Sequence, residues 1–215
     1  MIKTNKKISI VITTKNEENN IENCLKSIIN QTFPRNLIEI IVVDNYSSDK
    51  TLEISRQYAD IVETIGPERN TQRNHGMIDL SSGEYLMWVD ADMILSKCLI
   101  ENSIDFLSKE NYVALNIPEI ILGEDLFSIV RRFERSFYDN TVIDGARVIK
   151  RNIFVQFGGF SRSWQHGPDD WDLDKEIKLL GNIGYLQCNE DTPSSILQHL
   201  GFQFSLPAHS QSVIY

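Results

Sequence analysis

Three short apolar runs, each closing on polar side chains, constrain this chain more than any other feature. They are Ile8 to Thr14, Ile38 to Val43 with Asp44-Asn45 behind it, and Glu84 to Val89 with Asp90-Ala91-Asp92 behind it. Runs that are apolar at consecutive positions belong to strands buried on both faces, and such strands need helices on either side. The intervening segments supply them. Ile21, Leu25, Ile28 and Ile29 recur at helical spacing. Lys15-Asn16-Glu17-Glu18 reads as the opening of that helix, with Asn16 as N-cap and the glutamates favoured by the helix dipole. Ser48 is expected to cap a second helix through Tyr58. Ile61 to Thr64 reads as a third strand, Glu68 to Leu80 as a polar helix, and Ser81-Ser82-Gly83 as a turn. The alternation predicts an α/β fold, a three-layer α/β/α sandwich around a mostly parallel central sheet.

The second half is less regular. Lys97 to Leu107 reads as helix, Val113 to Leu122 as extended chain, and Asp125 to Tyr138 as a helix carrying Arg131, Arg132 and Arg135. Thr141 to Val155 should hold another strand. Phe157-Gly158-Gly159-Phe160 reads as a tight turn, and Asp172 to Leu180 as a helix ended by Gly181 at C′. Residues 201–215 show no periodicity and read as an irregular tail. No repeat or linker interrupts the chain, so residues 1–215 are expected to form one domain.

A formal net charge of −9 excludes a nucleic-acid surface, which needs a basic stripe. It also means that an anionic ligand needs a cation beside it. Cys24, Cys98 and Cys188 form no C-x-x-C pair and read as buried free thiols of a reducing compartment. No run is long enough to span a membrane, and the apolar run after the basic Met1 to Lys7 is too short for a signal peptide. A cytoplasmic protein is the expectation.

In a parallel sheet the carboxyl ends of the strands share one edge, and ligands bind outside it. Thr13-Thr14, Asp44-Asn45 and Asp90-Ala91-Asp92 should therefore converge. Carboxylates two residues apart suit Mg²⁺ or Mn²⁺, hard cations that bridge protein oxygens to phosphates. Neither a P-loop nor a dinucleotide fingerprint is present. Pro168-Asp169-Asp170-Trp171-Asp172-Leu173 crowds carboxylates, which raises the pKa of at least one and favours proton acceptance. Plainer uses compete with each reading: turn formation for Asp44, helix-dipole stabilisation for Glu17 and the aspartates, a surface ion pair for Arg73, and core packing for Trp164 and Trp171.

Four segments in order resemble family 2 glycosyltransferases of the GT-A fold. They are Ile10 to Glu18, Ile41 to Thr51, Gln72-Arg73-Asn74-His75-Gly76, and Gly83 to Leu86 leading to Asp90-Ala91-Asp92. The likeness runs from about Ile8 to Gly181. It implies a Rossmann-like GT-A fold and inverting transfer of a sugar from a nucleotide-diphosphate-sugar to an acceptor hydroxyl, in cell-surface polysaccharide or glycolipid synthesis.

By the same resemblance Thr13, Glu17 and Asp44 line the base and ribose pocket. Asn45 stands where the family commonly has the second of two aspartates. Arg73 reaches the nucleotide or diphosphate, Asp90 with Ala91 contacts ribose or metal, and Asp92 ligates Mn²⁺ or Mg²⁺. His199 is a candidate further ligand. Asp170 is the expected base, and Asp169 (usually Glu in the family), Asp172, Trp164 and Trp171 face the acceptor. Residues 1–107 would then bind the nucleotide-sugar and 108–200 the glycan or lipid-linked acceptor. The basic, aromatic segment around Arg131, Phe133 and Arg135 is expected either to pack as an acceptor-side helix or to touch the inner face of the membrane. Relatives usually continue further, so the chain is read as short or incomplete. The missing Gln-x-x-Arg-Trp disfavours a processive synthase. Two rivals stand beside this reading. A nucleotidyltransferase would carry a glycine-rich first loop, which Thr14 to Glu18 is not; a non-catalytic nucleotide-sugar-binding domain would bind without turnover.

Overall fold

The computed structural model describes residues 7–109, 111–121, 130, 133, 145–160, 169–186 and 212–214. The first half runs β1 (Ile8–Thr14), α1 (Ile21–Ile29), β2 (Ile38–Asp44), α2 (Thr51–Tyr58), β3 (Ile61–Thr64), α3 (Arg69–Asn74) and β4 (Tyr85–Asp90). A wider π-helical segment, His75–Leu80, continues α3. Then come β5 (Met93–Leu95), α4 (Leu99–Leu107), β6 (Tyr112–Asn116), β7 (Glu119–Ile121), β8 (Ala146–Lys150), α5 (Arg151–Phe157), α6 (Asp169–Leu180), β9 (Asn182–Tyr185) and β10 (Ser212–Ile214).

A seven-stranded sheet has the order β3-β2-β1-β4-β8-β6-β9. The strands from β3 to β4 pair in parallel, and so do β6 and β9. β8 runs against both its neighbours. Side chains alternate across the central strands, as strand geometry requires. Ile8, Ile10 and Ile12 enter a core with Ile21, Leu25 and Ile28 of α1 and Leu99 and Leu107 of α4. Val11, Ile41, Val43, Leu86 and Trp88 enter a second core on the other face, with Met77, Phe154, Leu173 and Ile177. Two apolar cores on opposite faces of one sheet make the expected three-layer sandwich.

Several boundaries differ from the sequence reading. α1 starts at Ile21, because Asn16 takes a left-handed φ of 54° that no helix continues. Asp49, not Ser48, accepts the backbone N–H of Thr51 (3.0 Å) where α2 opens. The extended stretch after Val113 divides into β6 and β7, which lie in different sheets, and Pro118 between them has no N–H for a ladder. The strand expected between Thr141 and Val155 closes at Lys150 and passes directly into α5. Gly181 follows α6 without a left-handed φ; a Cβ there would stand 2.5 Å from Val113 Cγ1. Cys24 is buried as expected, but Cys98 is exposed at the entry to α4, outside the apolar face. The tail is not wholly irregular: β10 pairs with β5 and β7. The expected helix from Asp125 lies outside the described residues except for Val130 and Phe133.

At the amino edge of the sheet, away from the strand ends of interest, buried Glu39 ties the turn before β4 to β1. It accepts from Ser82 N (2.8 Å), Ser82 Oγ (2.7 Å) and Ser9 Oγ. Glu39→Ala orphans these buried donors and is expected to lower stability by about 2 kcal/mol in denaturant titration, with the fold retained.

Candidate functional site

β1 has β2 on one side and β4 on the other, so the chain leaves it in opposite directions and a crevice opens at the carboxyl edge. Register brings the predicted residues together there: Thr13 lies opposite Asp90, and Thr14 opposite Asp44. Ala91 is buried beside them.

The loops after β1 and β2 are locked to each other. Asn16 N donates to Ser47 Oγ (2.7 Å), and Ser48 N donates to Asn16 Oδ1 (2.9 Å). Glu17 N donates to Thr51 Oγ1 (2.8 Å), and the Glu17 carboxylate accepts from Asn20 Nδ2 (2.8 Å). Glu17 thus sits in a loop before α1, not in its first turn as expected. Asp44 is fully buried and accepts from Ser47 N (2.8 Å) and from Ser47 Oγ. It therefore builds the turn. Asn45 donates through Nδ2 to the carbonyl of Pro67 (2.8 Å). An aspartate cannot make that bond, which accounts for asparagine at this position. Asn45→Asp sets a carboxylate against a carbonyl and is expected to cost about 1–3 kcal/mol, read as a lower urea midpoint.

The segment Gln72-Arg73-Asn74 holds three parts of the site at once. Gln72 Nε2 donates to the carbonyl of Val43 (2.8 Å) at the end of β2. Asn74 exchanges two hydrogen bonds of 2.8 Å with the backbone of Phe160, fixing the loop after α5. That loop is the glycine turn read from the sequence, with Gly158 at φ 87° and Gly159 at φ 82°. Arg73 is buried, lies 3.9 Å from the Trp88 ring centroid, and donates to Asp90 Oδ1 (3.3 Å). The surface-pair alternative for Arg73 falls with its burial. Only Arg73 of this trio was assigned a role from sequence; Gln72 and Asn74 work on backbone carbonyls and amides that a sequence does not display.

Two further residues escape the sequence reading. Arg147 on β8 also lies 3.9 Å from the Trp88 ring centroid. Its guanidinium comes 3.9 Å from Asp90 Oδ2 and 3.2 Å from Glu119 on β7. The available signal was a charge inside an otherwise apolar strand, Ala146-Arg147-Val148-Ile149. Burial would raise the Asp90 carboxyl, but Arg73, Arg147 and Arg69 outweigh it and hold it below its ordinary value. Asp92 goes the other way. Burial first, then the charges of Asp90, Glu17 and Glu119, push it up to about 6. Asp90 is thus neutralised by arginine, whereas Asp92 carries surplus negative charge.

This surplus is the test of fit for a divalent cation. Asp92 and its oxygen-donor neighbours suit a hard ion. No group of three acidic, His or Cys donors converges among the described residues. Asp169, Asp170, Trp171 and Asp172 form the first turn of α6, three residues earlier than expected. The helix is tied to the start of β8, where Ala146 N donates to Asp174 Oδ1 (3.0 Å), and the carbonyl of Ala146 accepts from Trp88 Nε1 (2.9 Å). The turn therefore starts near the Asp90 edge. The side chains of these four residues, and all of Trp164 and His199, lie outside the described residues.

A mostly parallel seven-stranded sheet with one reversed strand, and acidic residues at its carboxyl edge, define a GT-A glycosyltransferase fold. The chain matches the profile of glycosyl transferase family 2 over residues 9–163, and it belongs to that family. A dolichyl N-acetyl-alpha-D-glucosaminyl phosphate 3-beta-D-2,3-diacetamido-2,3-dideoxy-beta-D-glucuronosyltransferase of Methanococcus voltae is 44% identical over 192 residues, covering 83% of this chain and 57% of the relative. A poly(ribitol-phosphate) beta-glucosyltransferase of Bacillus spizizenii is 38% identical over 121 residues, 53% of this chain and 19% of the relative. The solved mannosyltransferase PcManGT of Pyrobaculum calidifontis, in complex with GDP-Man and Mn²⁺, superposes with TM-score 0.67 at 23% identity, covering 84% of this chain and 54% of that one. The chain thus spans from about a fifth to under three fifths of these relatives' length.

Proposed function

We propose that this chain transfers a sugar, with inversion, from a nucleotide-diphosphate-sugar to a hydroxyl of a glycan or lipid-linked acceptor. The convergence of Thr13, Asp44, Arg73, Asp90 and Asp92 on one crevice at the strand switch carries the reading. Thr13, Glu17 and Asp44 bind base and ribose. Asp90, held by Arg73 and Arg147, meets the ribose or the metal. Asp92 holds Mn²⁺ or Mg²⁺, with His199 as a candidate further ligand. When bound, the ion offsets charge on the diphosphate. Asp170 takes the proton from the acceptor hydroxyl. That oxygen attacks the anomeric carbon, the bond from carbon to the diphosphate breaks, and nucleoside diphosphate leaves. Asp169, Asp172, Trp164 and Trp171 orient the acceptor.

Family membership and the acidic, glycine-free loop at Thr14 to Glu18 weigh against a nucleotidyltransferase. The printed activities of the Methanococcus and Bacillus relatives support a lipid-linked or polymeric acceptor for cell-surface glycans. No helix among the described residues is long and apolar enough to cross a membrane. A cytoplasmic enzyme in peripheral contact with the inner membrane face fits such an acceptor. The test incubates a nucleotide-sugar panel with lipid extracts and Mn²⁺, and reads the product anomer by NMR. A β-linked product from an α-linked donor supports inversion. Pyrophosphate release from nucleoside triphosphate and sugar phosphate would put the rival in its place.

A further inference from the structure

Tyr46, between Asp44-Asn45 and Ser47, is placed as no turn residue need be. Its φ is 53°, a left-handed value that is a genuine outlier for a bulky side chain. It is 68% exposed, and among the described residues its hydroxyl has no hydrogen-bond partner. Neither core packing nor hydrogen bonding rewards the ring for the backbone it occupies. The surroundings nevertheless enforce that backbone. Ser47 N is held by Asp44 (2.8 Å), Ser48 N by Asn16 (2.9 Å), and Asn45 by the Pro67 carbonyl (2.8 Å). Strain that the neighbours over-determine clusters at ligand clamps.

The ring lies beside Gly66: a Cβ on that glycine would stand 3.3 Å from Tyr46 Cε2 and 2.3 Å from Asn45 Oδ1. Gly66 thus leaves room first for the Asn45 amide and then for the edge of the ring. From Gly66 the chain runs through Pro67 to α3, which carries Arg73. Tyr46 therefore joins the end of β2 to the approach to α3 at the carboxyl edge, beside Asp44.

We infer that Tyr46 is the platform on which the nucleobase of the donor stacks, a positioning residue that fixes the nucleotide while leaving base identity to hydrogen-bonding neighbours. This rests on the nucleotide-sugar reading above. Stacking is tolerant of base identity because every base has a π-face. A base to stack on gives a purpose to a large, exposed aromatic at a position that glycine or asparagine occupies without strain.

Calorimetric titration of UDP, GDP, dTDP and inorganic pyrophosphate in the presence of Mn²⁺, on the whole chain, tests it. Tyr46→Gly and Tyr46→Asn suit the left-handed backbone and remove the ring. Both are expected to weaken the bound nucleoside diphosphate about tenfold. Pyrophosphate affinity should stay unchanged, and the melting temperature should not fall. Tyr46→Trp should keep nucleoside diphosphate affinity. Unchanged nucleoside diphosphate affinity in the Gly and Asn variants overturns the platform and leaves the nucleotide-sugar reading intact. An equal loss for pyrophosphate also overturns it, because the turn and not the ring would then be responsible. Failure of the wild type to bind any of the three nucleoside diphosphates removes both readings together.

Discussion

Asp92→Asn is expected to abolish Mn²⁺-dependent binding of the nucleotide-sugar and, in the same molecule, to stabilise the metal-free fold at pH 7. The two effects share one cause. Asp92 sits half-buried among Asp90, Glu17 and Glu119, and its carboxyl is raised to about 6. The folded state therefore binds a proton that the unfolded chain has already lost, so stability falls as pH rises from about 4 to about 6. Asp90 is lowered and does the opposite, losing stability only below the ordinary carboxylate range, so the window between belongs to Asp92. At most ~3 kcal/mol is at stake, and solvent reaching the carboxylate reduces it. Asparagine keeps the shape without the charge. Thermal melts at pH 5 and pH 7 should show wild type losing stability over this range and the variant holding it. Added Mn²⁺ should restore wild type at pH 7 and leave the variant unmoved. A variant that melts lower at pH 7, or still responds to Mn²⁺, removes Asp92 from the metal site.

Asp170→Asn is the second large effect, and it separates chemistry from binding. An acceptor hydroxyl has an intrinsic pKa far above 7, and a positioned carboxylate base contributes ~10²–10⁴-fold. The turn carrying Asp170 begins α6, which Leu173 and Ile177 anchor in the second core and Asp174 ties to β8. The helix should therefore survive the substitution. Donor affinity is expected to be unchanged, while transfer falls by ~10²–10⁴-fold. The same change at Asp172 is expected to be milder, because its assigned role is to orient the acceptor. Retained turnover in Asp170→Asn would move the base to another residue.

What the sequence disclosed divides along physical lines. β1, β2 and β4 were legible because strands buried on both faces are apolar at most positions. α4 and α6 were legible from helical spacing. The crevice followed from topology: once the strands run in parallel, their polar ends share an edge. The start of α1 was misread because Glu17-Glu18 mimic a first helical turn. There, the left-handed Asn16 and the bonds to Ser47, Ser48 and Thr51 decide the conformation, and those partners lie about thirty residues away. Arg147 and Glu119 were missed for the same reason, since only the reversed β8 and the small second sheet bring them to Asp90. The acceptor-side role expected of Trp164 and the metal-ligand role expected of His199 remain expectations of sequence.

On the proposed function, the crevice holds a nucleotide-sugar through Asp92 and a divalent ion. Calorimetric titration of a panel of UDP-, GDP- and dTDP-sugars, each with and without Mn²⁺, tests it most directly. One preferred donor is expected, with an affinity that falls at least tenfold when Mn²⁺ is omitted, on the order of 1.4 kcal/mol or more. Binding that ignores the metal, or no binding to any donor, would contradict it.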